Sequence, residues 1–298
     1  VDPVTGALTL GLAYAPLALG IFVTMRVFNI PDITADASLT AGGAVTAALL
    51  VAGFDPWLAT LLATIAGVVA GMLTGLIHTR LRIQALLAGI LVMTAFYSLN
   101  LRVMGGRSNV PLAQFDTVFT PLQALLPGVD DSTRTLLLLL LITALFVAAL
   151  SWLFRTDAGL AMRATGDNET MAPALGINPD AMKLLGIALA NGVIAVSGSL
   201  VAQYQGYADI GMGIGIVLFG LASVMIGDTF ASALGQERSM PVRLAAVVLG
   251  SVLFRGVVAL VLWLGLPPGD MKLMTSLFVL AAILLPGTRK LLPRWKRA

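Results

Sequence analysis

Between Thr133 and Phe154 the chain sets six leucines in a row, Leu136 to Leu141, inside an apolar run whose one charged residue is Arg134. As a helix, a run of this length crosses the roughly 30 Å hydrocarbon core of a bilayer. Lipid offers the backbone no hydrogen-bond partner, so such a segment has to be helical. Comparable runs cover Gly6 to Phe28, Trp57 to Ile77, Gln84 to Leu101, Leu184 to Tyr204, Met240 to Leu264 and Met271 to Leu285. With 58% hydrophobic residues and 11% charged residues among 298, and a mean hydropathy of +0.95, too little polar surface remains for a water-soluble domain. The fold class is all-α: a polytopic membrane protein of about nine spans, with residues 1–298 forming one transmembrane domain.

Two of the nine spans are irregular. Pro31 to Gly43 is polar yet leads straight into the apolar run Ala44 to Val51, which predicts a broken helix. Non-helical backbone at membrane depth persists only when buried in protein or lining a wet cavity, so Asp32, Asp36 and Ser38 are candidates for a transport path. Gly211 to Asp228 is glycine-rich and borderline in length, fitting a short span or a re-entrant pair of half-helices. Pro16 interrupts the first span, tolerable if neighbours satisfy the carbonyl it frees. Gly67, Gly71 and Gly75 recur every fourth residue and form a smooth face for close helix packing.

Basic residues orient the chain. An outside amino terminus puts Arg26, Arg80, Arg82, Arg155, Arg163, Lys183, Arg238, Arg243 and the tail Arg289, Lys290, Arg294, Lys296 and Arg297 inside. Only Arg102, Arg107, Arg134 and Lys272 then lie outside, in keeping with the positive-inside bias. Val1 to Leu8 lacks the basic region and cleavage site of a secretory signal peptide, so the first run is expected to be retained. The net charge of +3 is no nucleic-acid signal, and no nucleic-acid partner is expected. Cysteine is absent and His78 is the only histidine, which excludes disulfides, cysteine metal sites and histidine clusters. No metal site is expected and no catalytic residue is assigned. A phosphate loop is absent as well, so ATP chemistry does not belong to this chain.

The sharpest punctuation lies at 159–180. Asp167, Asn168 and Thr170 can each cap a helix start, Gly176 suits a left-handed terminator, and Asn178-Pro179 offers a second cap with proline at the first helical position. These signals predict a short helix from Glu169 to Leu175, about two turns long. Pro173 delays its start towards Thr170. An ordinary inter-helix loop is the plainer alternative.

In order and spacing, Gly159, Arg163-Ala164, Asn168-Glu169, Ala172, Ala174, Leu175-Gly176-Ile177-Asn178 and Lys183 resemble the cytoplasmic coupling segment of bacterial ATP-binding-cassette importer permeases of the ribose and branched-chain amino acid class. Asp32-Ile33-Thr34 matches an element of the same class, and the likeness covers nearly the whole chain. Pro31-Asp-Ile-Thr34, Gly89-Ile-Leu-Val-Met-Thr94 and Asn100-Leu-Arg-Val-Met-Gly105 resemble the subgroup linked to aromatic amino acids such as tryptophan or tyrosine. Gly235-Gln-Glu-Arg238 departs from the more glycine-rich loop of ribose-type relatives.

The resemblance implies a type II importer-like permease in the bacterial inner membrane, assembled with a second permease copy, a cytosolic ATPase dimer that carries ATP and Mg²⁺, and an extracytoplasmic substrate-binding protein. Membrane lipid is the remaining partner. It implies coupling roles for Arg163, Gly166, Asp167, Asn168, Glu169, Ala172, Ala174, Leu175, Gly176 and Ile177.

For the cargo path, Met93, Tyr97, Asn100, Asn191 and Tyr204 supply polar and aromatic groups on apolar helices, and Arg255 sits mid-span with no partner in its own turn. Arg255 therefore needs carbonyls or an acidic group from the broken elements, or a substrate carboxylate. The competing function is an ion-gradient-driven transporter or channel. It would need embedded carboxylates, and Asp228 is the only candidate the span assignment places near a span interior.

Overall fold

The computed structural model describes residues 3–122, 128–233, 235, 239–265, 273, 275–277 and 280. Its helices are α1 (Pro3–Ala13), α2 (Ala15–Phe22), α3 (Thr34–Val51), α4 (Pro56–Thr79), α5 (Ala85–Val103), α6 (Asp131–Leu153), α7 (Asp157–Asp167), α8 (Pro179–Gln205), α9 (Ile216–Ala233) and α10 (Met240–Trp263). A π-helical turn, Val23–Val27, follows α2, and a 3₁₀ turn, Ala172–Leu175, follows α7. Among the described residues, seven helical stretches are long and apolar enough to cross a membrane, and Ile216–Ser232 is a shorter apolar helix. Of the nine expected spans, the last, Met271 to Leu285, lies largely outside the described residues, as do Gln236 to Arg238 and the basic tail.

The bundle is organised around α8. From Gly186 to Gln203 nearly every residue of this helix is buried, which in a bilayer requires each polar side chain to find a partner on another helix. Asn191, Ser197, Ser199 and Gln203 all do. α3 runs parallel to α8: Ser38 meets Asn191 and Thr46 meets Ser199, the same offset along both helices. Helix α4 runs the other way, and its glycine stripe is the contact. A Cβ on Gly67 would lie 2.4 Å from the Asn191 carbonyl oxygen, one on Gly71 2.5 Å from that of Ile187, and one on Gly75 2.7 Å from Leu184. Small residues thus let two backbones approach closely.

The first span, Val4–Val27, is continuous across Pro16. Proline has no N–H for the carbonyl four residues back, and that carbonyl, on Leu12, accepts from the Thr143 hydroxyl of α6 at 3.3 Å. Its neighbours are served likewise: Gly11 accepts from Ser251 of α10 at 2.8 Å, and Ala13 from Ser197 of α8 at 2.7 Å. Three helices therefore bond to one loosened turn.

Two expectations need correction. The break expected over Pro31 to Gly43 extends only as far as Ile33, because α3 is continuous from Thr34. Gly42 and Gly43, inside that helix, serve approach by Ala195 and Met212. The non-helical stretch is shorter, residues 28–33, where Asp32 accepts from the Thr34 N–H at 2.8 Å and starts the helix. The Gly211 span begins later, since 210–215 is a series of turns and the helix proper is α9. The loop between α5 and α6 contains a strand: β1 (Asn109–Pro111) pairs antiparallel with β2 (Tyr207–Asp209), Val110 opposite Ala208. That two-stranded sheet marks the end of the bundle opposite α7.

Candidate functional site

Four of the predicted path residues meet. Asp36 from α3 and Met93, Tyr97 and Asn100 from α5 line a cavity of about 220 Å³, together with Thr40, Thr94, Ile210 and Ile214. Positions 93, 97 and 100 are four and three residues apart, which places them on one helix face. Tyr97 is half exposed, whereas Asn100 is buried and donates to the Ala37 carbonyl at 3.4 Å. The walls are mainly apolar, and the polar residues among them are Asp36, Thr40, Thr94, Tyr97 and Asn100.

The chain between β2 and α9 closes one side. Gly211 N–H donates to the Asp209 carboxylate (2.8 Å), Met212 N–H to the Asp209 carbonyl and Ile214 N–H to the Gly211 carbonyl. The Met212 side chain reaches along α3 to Gly43, while the Gly213 backbone lies against Asp36, just ahead of α9. Asp36 caps it: the carboxylate accepts from the Gly215 N–H at 2.8 Å and the Val217 N–H at 3.1 Å. Any side chain at Gly213 would collide with the Asp36 carbonyl.

The other path candidates lie elsewhere. Asp32, Ser38 and Asn191 form a sealed network: Asn191 donates to Asp32 at 2.7 Å and to the Ile187 carbonyl at 2.9 Å, and accepts from Ser38 at 2.6 Å. Beside it the hydroxyls of Thr34 and Thr74 share a 2.6 Å bond. Every group is buried and partnered, so these residues join α3, α4 and α8 instead of lining the cavity. Tyr204 stands edge-on to Phe119, with centroids 6.3 Å apart, away from Met93 and Tyr97.

Arg255 finds neither carbonyl nor carboxylate of the broken elements. Its guanidinium lies over the Tyr14 ring at 4.7 Å and near the Phe219 ring at 5.9 Å. Placing an arginine at mid-membrane costs about 2.5–3.5 kcal/mol on insertion scales, and a desolvated cation over a ring recovers up to about 2 kcal/mol. Asp228, read as the single acidic group near a span interior, sits between Arg26 and Arg243. Among the described residues, the carboxylates within the bundle are Asp32 and Asp36, one buried and the other tying α3 to α9. Their burial is not legible from the span assignment, because both precede the apolar run.

At the α7 end, the expected two-turn helix from Glu169 is a single 3₁₀ turn, Ala172–Leu175. Most of the helical content lies upstream, in α7, capped by the Thr156 hydroxyl. Arg163 and Gly166 belong to α7 and Asp167 ends it. A Cβ on Gly166 would collide with the Val27 carbonyl, so this helix is pressed against the end of the first span.

The link that follows is tightly specified. Asn168 accepts from the N–H groups of Thr170 and Met171, both at 3.1 Å, and Glu169 pairs with Lys183 at 2.6 Å. Gly176, at φ 75°, ends the 3₁₀ turn, with the Ile177 N–H bonded to the Ala172 carbonyl. Asn178 caps α8 as the sequence indicates. Ala172 is buried and anchors the turn, while Ala174, Leu175 and Met171 face outward, Leu175 being 73% exposed. An ordered apolar tip held between two helices results.

A further cavity of about 550 Å³, between α6 and α10, is lined by residues such as Thr143, Trp152, Arg155 and Val248 and contains none of the predicted path residues.

Comparison with known proteins gives a consistent result. Residues 4–285 match the family described as branched-chain amino acid transport system / permease component. The chain is 35% identical over 278 residues to a tyrosine transport system permease protein of Clostridioides difficile (strain R20291), covering 93% of this chain and 89% of that protein. It is 29% identical to an uncharacterized protein of Rickettsia prowazekii (strain Madrid E), covering 93% and 95%. It is 26% identical to the autoinducer 2 import system permease protein LsrC of Yersinia pestis (strain Pestoides F), covering 91% and 73%. No solved structure matches.

Proposed function

Because the chain belongs to the permease-component family of branched-chain amino acid transport systems, we propose that it forms the membrane path of an ATP-driven importer for an aromatic amino acid, with tyrosine the first substrate to test. In this reading residues 1–298 are one transmembrane domain and 159–180 its coupling segment. The complex comprises two permease copies, a cytosolic ATPase dimer that binds ATP and Mg²⁺, and an extracytoplasmic binding protein. The permease itself performs no chemistry.

The observation that carries the reading is the exposed apolar tip at Met171, Ala174 and Leu175, held by Asn168, Gly176 and the Glu169–Lys183 pair. An apolar knob on a short, ordered turn suits a groove on a soluble partner, and α7, packed on Val27, passes its displacement to the first span. Substrate class is supported by the 35% identity with the tyrosine transport system permease. A cavity of apolar walls with Tyr97, Asn100 and Met93 also suits an aromatic ring.

Uptake by the complex reconstituted in vesicles tests both parts. ATP-dependent accumulation of tyrosine, absent without the ATPase, is expected. Transport of sugars but of no aromatic amino acid would overturn the substrate, and accumulation driven by an ion gradient without the ATPase would overturn the importer.

A further inference from the structure

Arg255 is a fixed cation that, among the described residues, meets rings and no anion. Among the described residues no carboxylate lies within ion-pair distance of it, and its Nε is enclosed without an acceptor. A guanidinium stays charged at any physiological pH, and a charge in an apolar bundle calls for an opposite one. Tyr14, Phe219 and Phe254 surround it as one aromatic cluster: Tyr14 and Phe219 are 5.2 Å apart, and Phe219 and Phe254 meet edge-on at 5.0 Å.

A cavity of about 390 Å³ opens beside the guanidinium, lined by Ile214, Phe219, Phe254, Arg255, Thr275 and Ser276. It falls within the size range of small-molecule sites. Ile214 also lines the cavity that holds Tyr97 and Asn100, so the two spaces flank one turn.

We infer that Arg255 is a carboxylate-binding residue for amino-acid cargo, with Phe219 and Phe254 forming the wall for the side chain. The planar fork of a guanidinium matches a carboxylate in a two-bond arrangement, and Thr275 and Ser276 border the same space. This inference rests on the proposed reading of the chain as an amino-acid importer. It adds a second station to the path, selective for the acid group where the Tyr97 cavity accommodates the ring.

The test uses the permease alone in nanodiscs of neutral phosphatidylcholine, with ligand contact followed by saturation-transfer NMR. Tyrosine is compared with tyramine, which keeps the ring and the ammonium but lacks the carboxylate. Tyramine should bind at least about tenfold more weakly, and Arg255→Gln should weaken tyrosine by a similar factor, as loss of one charge-assisted bond implies. Arg255→Lys, which keeps the charge and guards against a misfolded glutamine variant, should fall between, with an unchanged melting midpoint.

Equal binding of tyrosine and tyramine, unchanged tyrosine binding in Arg255→Lys and Arg255→Gln, or a site filled only when phosphatidylglycerol is added would each overturn it. Uptake by the full complex separates the two levels. Wild-type tyrosine uptake that survives unaltered in both variants removes this inference alone, whereas no tyrosine uptake in the wild type removes the substrate reading beneath it.

Discussion

The Asn191 amide donates to the Asp32 carboxylate at 2.7 Å, joining a non-helical stretch near the end of the first span to the middle of the central helix. The same amide accepts from Ser38, so one side chain satisfies two groups of the segment that begins α3. Removing it should cost far more than its own bonds. In Asn191→Leu the Asp32 oxygen and the Ser38 hydroxyl lose their partner, and each unsatisfied buried group costs about 1–3 kcal/mol. Ser38→Ala strands one such group, the Asn191 carbonyl oxygen, at about 1–3 kcal/mol. The melting midpoint in detergent should fall further for Asn191→Leu, which strands two, than for Ser38→Ala. Equal midpoints would mean that water reaches the pair.

Glycine substitutions should divide sharply by neighbour. A Cβ on Gly71 would lie 2.5 Å from the Ile187 oxygen and 2.8 Å from the Asn191 Cβ, forcing α4 off α8. Overpacking of this kind costs about 1–3 kcal/mol, so Gly71→Ala should reduce the monodisperse fraction and the midpoint. Gly256, also helical, has nothing within 4 Å of an added Cβ and no left-handed φ. Gly256→Ala should be neutral or gain up to about 1 kcal/mol. A loss at Gly256 matching that at Gly71 would reject close approach as the cause.

These two cases show what the sequence makes legible. The Gly67, Gly71 and Gly75 stripe needs only helical periodicity to be read, and its contacts with α8 follow. Asn178-Pro179 and Gly176 are likewise local signals, and both act as written. The need of Pro16 for an outside partner is legible too, although nothing local names Thr143 as the donor.

What escapes is long-range. Asp36 is a plausible N-cap by type, yet the helix it caps is α9, 179 residues away from Asp36 at the Gly215 N–H. The partners of Arg255 are aromatic rings on two other helices, and no spacing rule selects them. In the candidate cavity, Met93, Tyr97 and Asn100 are readable as one face. That Asn191 and Tyr204 turn away from it depends on how α8 packs.

The capping role of Asp36 is testable. Asp36→Ala removes the acceptor for the Gly215 and Val217 N–H groups, and loss of such a cap costs about 0.5–2 kcal/mol. The effect should be local: faster hydrogen exchange at 213–218 with little change in α4. Uptake should fall because this turn borders the Tyr97 cavity. Asp36→Asn, which keeps one acceptor oxygen, should exchange at an intermediate rate. Faster exchange throughout the protein would instead mark Asp36 as a general support of the bundle.

Coupling should fail in two separable ways at the α7 end. Leu175 is outward-facing and apolar, so Leu175→Asp leaves the turn intact while placing a charge where a partner must desolvate the surface. That variant should lose ATPase subunits on co-purification. Gly176 has no neighbour within 4 Å of an added Cβ, and its φ of 75° is the constraint. A β-branched residue there strains the backbone by about 1–2 kcal/mol, enough to shift the terminator and the Ile177–Ala172 bond that closes the turn. Gly176→Val should therefore keep the ATPase bound and hydrolysing while uptake per ATP falls. If Gly176→Val expresses normally and transports with wild-type stoichiometry, the geometry of this turn plays no part in transmission. If Leu175→Asp still retains the ATPase, the tip is not the docking surface.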